Sequence, residues 1–439
     1  MKSKFVTVAM LATLSLAGCR TRTSSTPSVS NSVDHSTLKT EIVIGSPTKH
    51  QPFVKGKVEA WLKTNGYTNV TLKMYDLAES DAKSITDFTG AGAPDIYAYA
   101  SDHTLDLMAK GALAEVPEEF ATEMVKNMGQ TDVDAAKVGD AYYAYPYAGD
   151  NGYYLYYNKD IVKHFDTVEH IIADCQAANV KFGYALETDS SFFSIGTMFT
   201  FGARYNVTID NSGKISSVKA DFDGAKGLKA AKAIRDLMKS SPTVVTTHQG
   251  ARDVAPSGEA SGFGAIVEGS WNYTNFRDGK KNEDGTFAYV GMGDKLGCAK
   301  LPTVTVDGET KNLGSFLGYK LYGVNPQKSS GNADRLALLH TVANFLVSDA
   351  TQEGRWDELQ VAPTSDKVAA LTKVASDDHI KAINDQAKFS VGQTIVPNGI
   401  WAGMITLADS IKKNLSASDE QLTEFLKAFN NKVIGKDDN

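Results

Sequence analysis

From Glu41 to Gly111 the chain alternates short β-prone runs with stretches of helical periodicity, and this alternation constrains the fold more than any other feature. Glu41 to Ser46 (EIVIGS) reads as a first strand that stops at Pro47. Val54, Val58, Trp61 and Leu62 then fall at i, i+4, i+7 and i+8, one face of a helix that Gly66 ends. Val70 to Leu77 gives a second strand, and a polar helix is expected before the breaker Gly90-Ala91-Gly92-Ala93-Pro94. Asp95 to Ala100 (DIYAYA) gives a third strand, followed by a short helix from Thr104. Strand–helix alternation implies right-handed βαβ units and a mostly parallel sheet. Ligands of such sheets sit beyond the carboxyl ends of the strands, which makes the residues just after Ala100 a candidate site.

A second landmark is Ala141 to Asp160, AYYAYPYAGDNGYYLYYNKD, which holds eight of the eighteen tyrosines. Two Tyr-rich, β-prone runs flank Gly149-Asp150-Asn151-Gly152, and the expectation is two strand-like segments joined by a bend. Asp150 and Asn151 would then offer hydrogen bonds to a ligand, with tyrosine faces alongside. A solvent-exposed hairpin with an aromatic core face is the alternative.

The later chain continues the α/β pattern. Helices are expected at Val168 to Ala178, Phe192 to Phe201, Gly224 to Lys239 and Leu336 to Val347, and strands at Gly262 to Trp271 and Leu317 to Val324. Val207 to Val218 reads as a hairpin around Asn211-Ser212-Gly213, and the absent late carboxylate argues against a calcium loop there. The chain from Asp366 is mostly helical, with a break at Pro397-Asn398-Gly399.

The N-terminus reads as a targeting segment: Lys2 and Lys4, then an apolar run from Phe5 to Leu16 that is too short to span a bilayer. Leu16-Ala17-Gly18-Cys19 resembles the lipobox of bacterial lipoproteins, which implies a signal peptide over 1–18 and lipidation of Cys19. Ser- and Thr-rich residues through Thr40 read as a flexible tether over 19–40, placing the globular part outside the cytoplasm on a membrane anchor. The net charge of -7, without basic blocks, argues against nucleic acid as a partner. Cys175 and Cys298 either pair or stand as buried thiols.

The motifs of common catalysis are missing. There is no HExxH, CxxC pair, GxxxxGK[ST] loop, GxGxxG after a strand or GxSxG elbow, so neither a metal site nor a cofactor is expected. A carboxylate pair assembled in space remains open, which keeps an exported glycoside hydrolase as the rival to a binding protein.

The order of landmarks resembles the maltose-binding family of extracellular solute-binding proteins, the capture components of ABC sugar importers. Ala93-Pro94-Asp95-Ile96 through Gly111-Ala112-Leu113-Ala114-Glu115 is similar to the family's GPDI…SGLLAEI, and Ala144-Tyr145-Pro146 through Tyr157-Asn158-Lys159-Asp160 to AYP…IYNKDL. Glu268-Gly269-Ser270-Trp271 is similar to NGPW, Leu301-Pro302 to VLP, and Pro397-Asn398 with Trp401 to PN…FW. The resemblance covers nearly everything after the tether. It implies a two-lobed, type II periplasmic-binding-protein-like α/β fold with a multi-strand hinge and a ligand cleft between the lobes. One lobe would comprise 41–148 and 303–345, the other 151–300 and 348–433. It further implies a monomer that binds an oligosaccharide, maltose or a maltodextrin above all, delivers it to the transmembrane subunits of an ABC permease, and breaks no bond. Another polar solute is the alternative ligand.

The family's WAHDR matches Tyr99, Asp102 and His103, where His replaces an Arg. Asp102 would accept hydrogen bonds from hydroxyls or cap the helix at Thr104. The acidic residue before the IYNK strand matches Asn151, with Asp150 equally eligible after one inserted residue. Trp271 and Trp401 match tryptophans that stack on pyranose rings, with core packing as the alternative, and Phe192 lies near the family's EPY segment. The family's early Asp-Lys pair has no clear counterpart; Lys49 lies close by.

Overall fold

The computed structural model describes residues 35–180, 183–210, 214–240, 244–245, 264–281 and 284–436. The signal peptide, Cys19, most of the tether and the tip of the hairpin at 211–213 lie outside the described residues. The main sheet contains β1 (Thr40–Ser46), β2 (Val70–Asp76), β3 (Ile96–Ala100), β4 (Tyr145–Asn158), β5 (Tyr184–Ala185), β6 (Val244–Val245), β7 (Ala265–Gly269), β8 (Leu296–Ala299), β9 (Ser315–Val324) and β10 (Ser390–Gly392). The strand order is β6-β5-β7-β4-β9-β3-β1-β2, with β8 added on β4 and β10 on β9. The flanks are parallel, as the alternation predicts: β1 pairs β2 and β3, and β5 pairs β6 and β7. The centre is antiparallel, because β4 runs against β7, β8 and β9, and β9 runs against β3.

The expected bend at Gly149-Asp150-Asn151-Gly152 is absent, for β4 passes straight through it. Its first half pairs with β9 and its second half, from Tyr153, with β7 and β8. Neither glycine has positive φ. Gly152 instead answers a close approach, since an added Cβ would lie 2.9 Å from the Leu317 side chain. The tyrosines are core residues. Tyr153 and Tyr157 face one apolar cluster, Tyr154 and Tyr156 another, as the two-residue period of a strand buried on both faces requires.

The structure has two large cores. The first joins Ile42, Ile44 and Ile96 of the strands to Val54 and Val58 of α1 (Gln51–Thr64), together with Leu338, Leu339 and Val342 of a later helix. The second gathers Tyr153, Leu155, Phe199, Phe222, Ile234, Met404, Leu407 and Leu426 around the helices α2 (Ser191–Thr200), α3 (Ala225–Lys239), α4 (Gly399–Lys413) and α5 (Asp419–Val433). Strands β4 and β9 contribute side chains to both, Tyr145 and Tyr322 to the first, Tyr153 and Phe316 to the second. Two segments lie against the core opposite to the one the expected boundaries give them. The hairpin Thr303–Val306 with Glu309–Asn312 puts Val304 and Val306 into the second core. The helix Asp349–Leu359 sets the Arg355 guanidinium over the rings of Phe53 and Tyr147, on the side of the first. The polar helix expected before Gly90 is only a 3-10 turn, Glu79–Ser84.

Helix α2 docks on the chain entering β9 at a glycine contact. A Cβ on Gly196 would lie 2.3 Å from both the Gly314 carbonyl oxygen and the Tyr153 hydroxyl. Gly196→Ala is therefore expected to destabilise the protein by about 1–3 kcal/mol, the usual cost of forced overpacking. A urea midpoint equal to that of the unsubstituted protein would refute this contact.

Candidate functional site

Three loops that leave the carboxyl ends of the parallel strands form one wall of a cleft of about 820 Å³. The turn after β1 brings Lys49 and His50, the turn after β2 brings Glu79, Ser80 and Lys83, and the turn after β3, Ser101–His103, brings Asp102 and His103. The opposite wall is built from the first turn of α2 (Phe192), the end of β7 (Glu268, Ser270, Trp271) and the first turn of α4 (Trp401). The floor is Asp150 and Asn151 from β4, Lys320 from β9, and Gln393 just after β10.

Of the residues named from the sequence, Asp102, His103, Asp150, Asn151, Phe192, Trp271 and Trp401 line this one cleft. Tyr99 does not. It is fully buried with Tyr97 in an apolar cluster behind β3, its hydroxyl accepting from Thr104 Oγ1 at 3.4 Å. Asp102 does not cap the helix at Thr104, whose cap residue is His103 without a side-chain bond.

The aromatic wall is ordered by packing. Trp271 lies 5.9 Å from Phe192 between ring centroids, and Trp401 lies 6.0 Å from Phe316. Gly269 makes room for the first indole, since a Cβ there would fall 2.1 Å from it. Both tryptophans keep part of their surface accessible. Lysines from the facing wall reach each of them. Lys49 Nζ donates to the Trp271 carbonyl at 3.0 Å, and Lys83 Nζ stands 5.9 Å from the Trp401 ring centroid.

The charges of the floor are paired. Lys320 Nζ donates to Asp150 Oδ1 at 3.0 Å, with 6% and 3% of the two side chains exposed. Ala362 N–H donates to Asp150 Oδ2 at 3.2 Å, and Ser270 Oγ donates to the Asp150 carbonyl. Burial opposes ionisation of Asp150, but the charges of Lys320 and His379 and the bonds from Lys320 and the Ala362 N–H outweigh it and hold the carboxyl below its ordinary range. In the cleft walls burial prevails. It raises Asp102 to about 6 against the pull of Lys83, and lowers His103 to about 3 with help from Lys83 and Lys110. His50 falls to about 3 by burial and the neighbouring Lys49 and Lys320. The His103 Nε2–Asp102 Oδ2 approach of 3.9 Å is therefore not an ion pair at neutral pH. Besides the lysines and glutamates of its walls, Lys49, Glu79, Lys83 and Glu268, the site at neutral pH presents neutral imidazoles, the Asp102 carboxyl with its raised pKa, and aromatic faces.

Sequence reasoning missed Glu79, Lys83, Ser270, Glu268, Lys320 and Gln393, and left Lys49 aside. Position just past a parallel strand could have marked Lys49, Glu79 and Lys83. Lys320 and Gln393 carry no local signal. Among the described residues, no group of three or more His, Cys, Asp or Glu could hold a metal ion, and no helix is long and apolar enough to cross a membrane. Cys175 and Cys298 are free.

The family model of the bacterial extracellular solute-binding proteins matches residues 57–382. No curated protein matches the chain. Solved structures share its fold. A chain solved with acarbose is 23% identical with a TM-score of 0.75, over 91% of this chain and 99% of that one. The maltodextrin binding protein MalE1 from L. casei BL23, without ligand, is 20% identical with a TM-score of 0.72, over 90% of this chain and 99% of that one. The maltose-binding periplasmic protein MalE from Listeria monocytogenes, in complex with maltose, is 18% identical with a TM-score of 0.66, over 91% and 100%. The two-lobed type II architecture expected from the sequence is the architecture found.

The buried pair sets a prediction. Lys320→Met leaves Asp150 without its cation and is expected to cost about 3–5 kcal/mol at neutral pH. Because the folded protein holds Asp150 below its ordinary value of 3.8, this stabilisation is present above that pH and lost as pH falls through the lower folded value. The gap between the urea midpoints of the two proteins should therefore narrow on acidification. A gap that is small at pH 7, or that stays constant to pH 3, would contradict the assignment.

Proposed function

This chain belongs to the bacterial extracellular solute-binding proteins, and we propose that it is the capture component of an ABC importer for an oligosaccharide, maltose or a maltodextrin. The family places it outside the cytoplasm. The observation that carries the saccharide reading is the pairing of two partly accessible tryptophans, Trp271 and Trp401, on one wall with buried polar groups on the other. A pyranose has a flat apolar face and a rim of hydroxyls; the face packs on an indole while the rim bonds to groups such as Asp102 and Asn151. A cleft whose floor charges are already paired suits a neutral ligand better than an ion. The structural neighbours that carry maltose or maltodextrin in their names support the same ligand class.

In this reading the lobes are those of the two cores. The first holds 41–148 together with the helix at 333–346, the second most of 151–312 and the chain from about 390, and β4, β9 and the stretch 360–364 cross between them. A ligand touching both walls binds the closed arrangement better than an open one and shifts the population toward it. The closed form then docks, as a monomer anchored through lipid on Cys19, on the permease. No covalent chemistry is assigned to it.

The test is a titration of intrinsic tryptophan fluorescence with maltodextrins, other α- and β-linked oligosaccharides, and monosaccharides. Maltodextrins are expected to give a saturable change without release of reducing ends. Trp271→Ala and Trp401→Ala should each weaken binding roughly 30-fold, about 2 kcal/mol for a buried aromatic anchor. No response to any saccharide would remove the carbohydrate assignment, and sustained release of reducing ends would favour a hydrolase.

A further inference from the structure

Gln393 is 4% exposed and stands where the site meets the hinge. Its backbone N–H donates to Leu317 O of β9 at 2.9 Å, and its carbonyl accepts from Ser101 Oγ at 2.5 Å. Its side chain bridges two cleft residues: Nε2 donates to Asp102 Oδ1 at 3.0 Å, and Oε1 accepts from Asn151 Nδ2 at 3.1 Å. The orientation of this amide is determined chemically, because a carboxylate only accepts and so must face the NH2 end. Gly318 makes the arrangement possible, since a Cβ there would lie 3.0 Å from Gln393 Oε1 and 3.2 Å from Asn151 Nδ2. Neither a carboxylate nor an ammonium could replace the amide, for each lacks either the donor or the acceptor.

We propose that Gln393 is the positioning residue of the cleft: its amide orients the Asp102 carboxylate for the ligand and ties it, through Asn151, to the crossing strand β4. One oxygen of Asp102 is held by the amide, while Oδ2 lies 3.9 Å from His103 Nε2. The other groups that act on Asp102 are Lys83 from the turn after β2 and Asp106 from the helix after β3, while Asp102 in turn acts on Tyr205, at the start of the strand Tyr205–Ile209. Gln393 is the neutral member of this set, and it favours the ionised form of Asp102 by donating to it. The inference rests on the saccharide reading only where Asp102 meets the ligand; its effect on Asp102 itself does not.

The experiment compares the unsubstituted protein with Gln393→Leu and Gln393→Glu. In the absence of ligand, the Asp102 side-chain carboxyl is titrated by carbon-13 NMR. Its midpoint is expected to rise by about one pH unit in Gln393→Leu, the size of a lost bond to a charged group, and further in Gln393→Glu, where two carboxylates share the site. Maltotriose affinity is then measured from pH 5 to 8. Below the Asp102 midpoint the carboxylate becomes a neutral acid that accepts more weakly, so affinity falls on acidification, and in both variants the fall should begin at higher pH. Unmoved Asp102 midpoints in both variants, or an affinity loss of equal fold at every pH, would overturn the proposal. If the unsubstituted protein binds no maltotriose, the saccharide reading fails while the carboxyl titration still decides the role of Gln393.

Discussion

The Asp150–Lys320 ion pair is the interaction on which the rest of this architecture depends. Its two charges sit on β4 and β9, the strands that contribute to both cores, where water hardly reaches them. An unpaired charge at that depth would be strongly unfavourable, so the pair fixes the mutual register of the two strands where they cross. The same carboxylate also accepts the Ala362 N–H, while Gly149 N–H donates to the Ala362 carbonyl and Thr364 Oγ1 to that of Pro146. Three segments, β4, β9 and the chain at Ala362, therefore meet at one side chain. The floor of the cleft is pinned by charge, and the two walls project from it on loops and helix ends.

That division of labour explains the chemistry of the cleft. Strand ends of the first half deliver polar groups, because parallel strands all point their carboxyl ends the same way. Helix starts and the end of β7 in the second half deliver aromatic groups, packed on Phe192 and Phe316 so that each indole has one supported face. The floor charges are already paired, and the histidines are neutral through burial. Beside the wall groups Lys49, Glu79, Lys83 and Glu268, the cleft offers a ligand hydrogen bonding and stacking, the combination that suits a polyhydroxylated molecule.

Much of this was legible in the sequence, and the exceptions have physical causes. The strand–helix alternation gave the parallel flank, short motifs pointed to Trp271, Trp401, Asp102 and His103, and Phe192 was named only for lying near the family's EPY segment, whose motif this chain lacks. Tyr99 turned inward because alternate residues of β3 face opposite sides, and its side fell with Tyr97 in the core. The glycines around Asp150 looked like a turn, but both lie within a continuous strand, and Gly152 serves the close packing of Leu317 and Ile383. Lys320 and Gln393 had no local signature, since their side-chain partners Asp150 and Asp102 are 170 and 291 residues away in the chain. Long-range partners of this kind are visible only after folding.

The measurement that tests the account most directly is hydrogen–deuterium exchange of the protein with and without saturating maltotriose, read by mass spectrometry. A ligand held between the walls should slow exchange in both at once: at 101–103 on the polar wall, and at 270–272 and 399–402 on the aromatic wall. The segment around Asp150 should be protected in either state. Protection confined to one wall, or none, would contradict a saccharide clasped between two lobes on a charge-pinned hinge.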